Sequence, residues 1–420
     1  MKFKLLVNND QSQNEHLHQA RILIADRKNS EIAAEIPYLF KTAGCIVDVF
    51  CSNGSWLLKN SFWDDHISTE GLSNIEYLQL LKSSLEENKY DWFVASDDTT
   101  LRIINECSTE DAELFIKPII NLENRILLGS KAGLNSLCQK YNILTPQSYL
   151  HNSFEDLNKI YEQVPFPMLL KVDQSSGGKG VFLCHDKQEV EDCLSKLSAK
   201  QNKDLLFQRY IFGENVSVEA LFKNGALLAY AYSIVKKTTN GEFSASCERK
   251  YVECPEVEEI LKKMGESFGL NGFSSITFMR DEKSRAHYLI ESDLRPQVWF
   301  KPAKHIGVDF SLAITNYLLQ KTQLIRPKLP KCKDAQFMCY FPRSILYSIL
   351  RLDMLEILKW ICNIERRWKY IPFYDPRLFV SIIESIIKTT IYRMCLFAKK
   401  TSISIIVLQG IFLKLLKWYT

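Results

Sequence analysis

Short apolar runs bounded by polar turns open the chain, with helically spaced apolar residues between them. Arg21–Asp26 (RILIAD) is a short apolar strand, and Ser30–Ala43 follows with Ile32, Ile36, Leu39 and Phe40 at helical spacing. Cys45–Cys51 (CIVDVFC) alternates as a second strand. Tyr90–Ser96 (YDWFVAS) is a third, and a helix starts at Thr99. Strands alternating with helices predict a parallel, doubly wound sheet. No G-x-G-x-x-G follows the first strand, so a dinucleotide site there is not supported.

A second unit begins near Leu128. Lys131–Tyr141 reads as a helix, and Asn142–Ser148 as a turn into a strand. Pro165–Val172 is an apolar strand ending in a glycine-rich turn, with Val181–Leu183 as its partner and Lys187–Ala199 as a helix. Asp204–Ile211, Val216–Phe222 and Ala226–Ser233 read as strands, Glu256–Phe268 as a helix, and Ser274–Met279 and Ala286–Ile290 as strands around a turn. Lys236–Lys250 is polar and basic and reads as a loop. Past Ala335 the pattern is helical, with Ser344–Trp360 and Leu378–Lys400 as candidate helices broken by Tyr370–Pro376.

At 420 residues the chain has room for two or three domains, and 46% hydrophobic with 24% charged residues is a globular balance. A net charge of +4 gives no general case for nucleic acid. The charge is uneven, however. Residues 331–420 hold 15 Lys and Arg against 6 Asp and Glu, whereas the preceding 330 residues hold 38 against 43. A mildly acidic body thus carries a basic, apolar tail. Its uncharged run Thr401–Leu413 is too short to span a bilayer, which takes roughly 20 residues. Two readings of the tail stay open: a helical bundle packed on the body or on a second subunit, and peripheral contact with a membrane through basic amphipathic helices. None of the 12 cysteines forms a C-x-x-C pair, which argues against zinc, and the first residues contain no apolar core of signal-peptide length. A cytoplasmic protein with reduced thiols is expected.

Four segments carry chemistry. Lys171 ends the apolar strand MLLK, where a buried ammonium costs free energy unless an anion meets it. Ser175–Val181 (SSGGKGV) brings glycine backbone N–H groups and Lys179 to where phosphate oxygens can be cradled. It is not a P-loop, since Gly180 rather than Ser or Thr follows the lysine. Phe207–Asn215 (FQRYIFGEN) is a strand edge turning polar, able to offer backbone groups to a flat base, with Glu214 or Asn215 in reach of ribose hydroxyls. In Tyr288–Pro296 (YLIESDLRP), Glu291, Asp293 and Arg295 alternate onto one strand face. That arrangement suits Mg²⁺ and a transferring phosphoryl group. Each segment alone also has a bland reading as a snorkelling lysine, a hairpin turn, an ordinary strand end and a solvated face.

In their order and spacing these segments resemble the ATP-grasp superfamily, which includes the D-alanine–D-alanine ligases, biotin carboxylase and carbamoyl phosphate synthetase. The likeness runs from about Ile22 to Leu319. It implies an α/β and α+β architecture: a pre-ATP-grasp parallel domain (1–127), a two-subdomain ATP-grasp unit (128–325, with a phosphate-loop lid at about 145–207) and a helical C-terminal extension (326–420). By the same resemblance, Lys131 and Lys171 contact ATP phosphates, Lys171 also acting in catalysis. Ser175, Ser176, Gly177, Gly178, Lys179 and Gly180 form the mobile phosphate loop. Gln208, Arg209, Tyr210 and Ile211 are the hinge, with Arg209 and Ile211 backbone groups reading adenine. Glu214 and Asn215 fall at the ribose, Glu291 and Asp293 hold Mg²⁺ or Mn²⁺, and Arg295 is the catalytic arginine.

The departures from the family pattern are Gln208 and Asn215, each where Glu is usual, Asp293 for Asn, and Thr277 where an acidic metal ligand is usual. The loop Lys236–Lys250 borders the substrate in the family, which makes Lys237, Arg249 and Lys250 candidates for a carboxylate or phosphate, with a solvated loop as the bland reading. Trp299, Lys301 and His305, just after the metal strand, are candidates to face the substrate, with a surface or capping histidine as the bland reading of His305. The implied function is an ATP- and Mg-dependent ligase that activates a carboxylate as an acyl phosphate for attack by an amine or similar nucleophile, both small molecules. The alternatives are an ATP-binding protein with little or no turnover, and a kinase or carboxylase on the same fold.

Overall fold

The computed structural model describes residues 19–105, 118–151, 157–173, 175, 177–178, 180–197, 205–331 and 336–401, with residues 394–401 described by backbone alone. The chain opens with β1 (Arg21–Asp26), α1 (Ile36–Thr42), β2 (Ile46–Cys51), β3 (Asp65–Ser68), α2 (Asn74–Glu87), β4 (Trp92–Ala95) and α3 (Asp98–Asn105). The strands form a parallel sheet in the order β3-β2-β1-β4. The helix expected over Ser30–Ala43 is split. A 3₁₀ segment, Glu31–Glu35, is capped by Ser30 and precedes α1, whose first turn contains Pro37. Proline has no N–H with which to continue an upstream α-helical ladder. β3, absent from the sequence reading, is a polar edge strand with no apolar run to betray it.

After α4 (Lys131–Lys140) come β5 (Ser148–His151), α5 (Leu157–Gln163), β6 (Met168–Val172), β7 (Val181–Cys184), α6 (Lys187–Lys196) and β8 (Leu205–Arg209). Their antiparallel sheet, ordered β5-β8-β6-β7, is backed by the two helices over a core of its own that includes Ile160, Leu170, Val190 and Phe207. This layer therefore has a core separate from those of the other two sheets.

The third sheet holds β9 (Gly213–Lys223), β10 (Ala226–Thr238), β11 (Ser246–Tyr251), β12 (Gly272–Asp281), β13 (His287–Asp293) and β14 (Phe337–Cys339) in the antiparallel order β13-β12-β9-β10-β11-β14. α7 (Pro255–Phe268) lies between β11 and β12 in sequence. It buries Val257, Leu261, Met264 and Phe268 and stops at Gly269 in the left-handed conformation. α8 (Phe310–Leu318) follows β13. The alternation of β1 sends Ile22 and Ile24 into one core and Leu23 and Ala25 into the other, and both cores continue into the six-stranded sheet. Trp92 of β4 stacks on Phe273 at 5.4 Å and on Tyr317 at 3.9 Å, tying the parallel domain to β12 and α8.

Two expectations are corrected. Lys236–Lys250 is not a loop: β10 runs to Thr238 and β11 begins at Ser246, so only a short connection separates them. Arg249 and Lys250 there find partners across the sheet, Glu219 and Phe337, and Lys237 meets Asp353 of the tail. The single helix expected over Ser344–Trp360 is two, α9 (Arg343–Arg351) and α10 (Met354–Ile361). They are divided where Leu352 turns left-handed and Asp353 accepts from the N–H of Glu356 to cap the second. α11 (Pro376–Thr401) follows the break expected at Tyr370–Pro376.

The tail packs on the body through its first part. β14 joins β11, Arg343 meets Glu31 at 2.8 Å, Asp375 accepts from the N–H and hydroxyl of Ser61 at 2.8 and 3.0 Å, and Leu378 and Ile382 enter the core. The apolar segment Ile403–Trp418 lies outside the described residues.

Candidate functional site

The lid and the six-stranded sheet face each other across a cleft, and Lys171 reaches into it from the end of β6. Its ammonium is buried and donates to Gln208 Oε1 at 2.6 Å. Burial pulls its pKa down to about 8, with nearby Lys131 adding to the fall and Glu291 of the opposite sheet resisting it. Gln208 is therefore the neutral partner of a buried cation at the position where a carboxylate was expected, leaving the ammonium short of negative charge.

Lys131 is the first residue of α4, which Ser130 caps by accepting from Gly133 N–H. Asp173 Oδ1 accepts from Ala132 N–H at 2.9 Å. Lys131 Nζ donates to the carbonyls of Asp173 and Ser175, both at 2.8 Å. The helix start and the base of the glycine turn are thus laced together. Ser175 Oγ closes the turn on Val172 O at 2.8 Å. Gly178 sits at φ +76°, and a Cβ there would lie 2.1 Å from Phe243 O. No other residue fits both that backbone conformation and that approach. Ser176 and Lys179 lie outside the described residues.

At the end of β8, the candidate hinge, Arg209 N–H donates to Gln147 O at 2.8 Å and Tyr210 N–H to Pro167 O at 3.1 Å. Tyr210 Oη meets Glu242 at 2.6 Å, and Ile211 is buried. The two ribose candidates part company on β9. Asn215 lies on the same strand face as Ser217 and Glu219, and its buried Oδ1 has no hydrogen-bond partner. Glu214, one residue away, turns instead to Arg285 at 3.4 Å, Arg280 at 3.7 Å and Lys236 at 4.0 Å.

The register of β12 and β13 places Glu291 opposite Thr277 and Asp293 opposite Ser275. Both carboxylates share the cleft face, as the alternation implied. Glu291 is exposed to the cleft. Asp293 Oδ2 accepts from Arg295 at 3.1 Å and Gln297 at 2.7 Å. Burial pushes its carboxyl up to about 7; Arg295 pulls the other way, and Asp98 and Glu291 add to the rise. Thr277 offers a hydroxyl where a third carboxylate was expected. No group of three or more His, Cys, Asp or Glu with metal-holding geometry occurs among the described residues. Two hard carboxylates on one face still suit a magnesium ion that takes its remaining ligands from nucleotide phosphates and water.

Sequence reading missed Asp98. Arg295 Nε donates to its Oδ1 at 2.7 Å and Nη2 to its Oδ2 at 3.0 Å, across a separation of 197 residues. Burial alone would raise the Asp98 carboxyl, but Arg295 outweighs it and holds it below the ordinary range. Glu219 was missed as well. It lies opposite Ser275 on β9, in the same row as Asp293. Its Oε1 accepts from Arg249 at 2.7 Å, its Oε2 is buried without a partner, and so is Tyr251 Oη. Arg249 stacks on Trp299, 4.3 Å from the ring centre. The signal for both acids was only a polar residue inside a strand or at a helix start, which many solvated positions share.

Other candidates point away. Lys237 meets Asp353 of the tail at 3.5 Å, Lys250 lies over Phe337, and Lys301 pairs with Glu35 at 2.5 Å. His305 packs edge-on against Tyr370, and burial pushes it down to about 4, with Lys369 and Lys301 adding to the fall, which makes its neutral ring a weak base.

The parallel sheet and the two antiparallel sheets, with the carboxylate strand at the edge of one, have the ATP-grasp fold. Residues 130–267 match the RimK-like ATP-grasp domain, and the chain carries that domain. It is 26% identical over 221 residues to a D-alanine–D-alanine ligase of Fusobacterium nucleatum, covering 47% of this chain and 70% of the ligase. It is 22% identical over 167 residues to a phosphoribosylamine–glycine ligase of Clostridium acetobutylicum, covering 38% of this chain and 39% of that enzyme. The biotin carboxylase domain of the 2-oxoglutarate carboxylase of Hydrogenobacter thermophilus, crystallised with MgADP and bicarbonate, superposes with a TM-score of 0.57. It is 17% identical, over 77% of this chain and 75% of that domain.

Proposed function

We propose that the chain is an ATP- and Mg-dependent ligase that joins a small-molecule carboxylate to an amine or similar nucleophile. The observation that carries this reading is that two lysines, Lys171 of β6 and Lys131 of α4, act electrostatically on the carboxylates of β13, Lys171 on Glu291 and Lys131 on Asp293, with Arg295 just past that strand holding Asp293. A nucleoside triphosphate with its Mg²⁺ fits both sets of charge, its phosphates meeting the lysines and the metal ion meeting the carboxylates. Relatives with ligase chemistry and a neighbour crystallised with MgADP support it.

In this reading Lys131 and Lys171 neutralise the phosphates, and the loop Ser175–Gly180 folds over them. The hinge, Ile211 above all, lies along adenine, because the N–H groups of Arg209 and Tyr210 are already engaged. Asn215 Oδ1 takes a ribose hydroxyl. Glu291 and Asp293 would hold Mg²⁺ or Mn²⁺, which when bound withdraws charge from the phosphates. A substrate carboxylate oxygen attacks the γ-phosphorus and ADP leaves. The nucleophile then adds to the acyl carbon, and phosphate departs with the former carboxylate oxygen. Arg295, held by Asp98, faces the charge that develops. Glu219 Oε2 and Tyr251 Oη, unpartnered on the same sheet face, are the groups assigned to the second substrate.

Transfer of ¹⁸O from labelled carboxylate to released phosphate tests the chemistry. ADP formation without that transfer would favour a kinase. Thr277 opposite Glu291, together with Asn215 where Glu is usual, favours the rival reading, a nucleotide-binding module with little turnover. Tight ATP binding with no ADP across a broad panel of carboxylates and amines would establish it. A cytosolic setting is proposed from the nine described cysteines, all of them free.

A further inference from the structure

α10 is inside out. An ordinary surface helix buries its apolar stripe and shows its charges. α10 instead buries Glu356 along with Trp360 and turns Met354, Leu355, Leu358 and Ile361 outward, at 62, 66, 48 and 62% exposure. The buried carboxylate is what makes this arrangement possible. Glu356 Oε2 accepts from Arg367 Nη1 at 2.7 Å, and Lys359 holds Oε1 at 2.9 Å. The apolar ridge extends at both ends, to Leu352 before the helix and to the Trp368 ring in the 3₁₀ segment after it. Monomeric soluble proteins seldom expose so continuous an apolar ridge without a partner for it.

The charges of this segment that form no ion pair are basic. Glu365 pairs with Arg367 at 2.9 Å, and Asp353 caps α10 and meets Lys237. The acids near the ridge are therefore satisfied by neighbours. Arg366 and Lys369 stand exposed in the segment that carries Trp368. The partner that complements a basic, apolar ridge is itself anionic and has an apolar interior. A second copy seated across a twofold axis would set Arg366 and Lys369 against their own kind. Residues 402–420 carry Lys414 and Lys417 and no acid, so they would bring the same sign of charge. Among the described residues no helix is long and apolar enough to cross a membrane, so contact would lie in the plane of the interface.

We propose that the outer face of α10 and the segment through Lys369 docks on an anionic lipid surface, with Leu355, Leu358 and Trp368 entering the headgroup region and Arg366 and Lys369 pairing with lipid phosphates. This inference stands apart from the ligase reading, because none of these side chains borders the nucleotide cleft.

The test is flotation of the full chain with vesicles of phosphatidylcholine alone, or of phosphatidylcholine with about one third phosphatidylglycerol, at low and high salt. Wild type is expected to float with the anionic vesicles about tenfold more than with the neutral ones, and to lose that preference at high salt. L355E/L358E is expected to lose flotation, and R366E/K369E to lose the preference for anionic lipid. Thermal melts of both variants, unchanged from wild type, establish that they are folded. Failure of wild type to float with either vesicle overturns the proposal. So does flotation that neither variant alters, or a concentration-dependent dimer in light scattering that L355E/L358E abolishes while no lipid is bound.

Discussion

Arg295 and Asp98 form a two-bond ion pair, 2.7 and 3.0 Å, between the bend two residues past the end of the carboxylate strand β13, where Arg295 lies rather than on the strand face expected of it, and the first residue of α3 in the parallel domain. The arginine expected to meet developing charge is therefore aimed by a different domain. Asp98→Ala is expected to lower kcat by about 10²-fold, in line with the loss of one oriented electrostatic group, while the Kd for ATP stays within about twofold. A rise in kcat would show that Asp98 holds the arginine away from its target.

The glycine turn separates two kinds of constraint. Gly177 (φ +64°) has open space where a Cβ would go, whereas a Cβ on Gly178 (φ +76°) would meet Phe243 O at 2.1 Å. Gly178→Ala is expected to weaken ATP binding by about tenfold or more, and Gly177→Ala by far less, since only the second substitution escapes a backbone collision. Titration of both variants with ATP checks the contrast. Equal losses would mean that the loop rearranges freely away from Phe243.

Burial lowers Lys171 to about 8 in the fold from an ordinary 10.5, so the unfolded chain binds the extra proton between those values. The penalty of holding the charged form is fully present below pH 8 and is relieved as pH rises from 8 toward 10.5. By this term Lys171→Met is expected to gain on the order of 3 kcal/mol relative to wild type near pH 7, a gain that shrinks through that window. Loss of the Gln208 partner subtracts an amount independent of pH. The slope of the stability difference between pH 7 and pH 10 is the readout, and a flat difference would contradict the buried ammonium.

Tyr251 Oη is buried and bonds to nothing in the fold. Removing it costs no hydrogen bond, so Tyr251→Phe is expected to leave the melting temperature unchanged or slightly raised. If the hydroxyl serves the second substrate, KM for that substrate rises about tenfold while the KM for ATP holds. Kinetics unchanged for both substrates would remove Tyr251 from the site.

Local pattern made much of this molecule legible. β1 is predicted residue for residue, and the lid strands and α7 to within a few residues, because each buries an apolar run with a clear period. The alternation of Glu291 and Asp293 onto one face follows from strand geometry alone. What stayed hidden depends on pairing over long separations. Asp98 and Glu219 look like ordinary polar residues until the sheets bring Arg295 and Arg249 to them. β14 is three residues long and exists because β11 offers it an edge. The ribose candidates could be told apart only once the register of β9 was known. The division of the expected Ser344–Trp360 helix into α9 and α10 was hidden too, because it depends on Leu352 turning left-handed and Asp353 capping α10.

The most direct test of the nucleotide cleft is calorimetric titration of the full chain with ATP, with and without Mg²⁺, for wild type, Lys171→Met and Glu291→Gln. Magnesium-dependent binding in wild type, weakened about tenfold or more in each variant, is the expected result, since each variant removes one charged contact from opposite walls of the cleft. No binding by wild type in either condition, or the same affinity in all three proteins, would contradict the placement of ATP between Lys171 and Glu291.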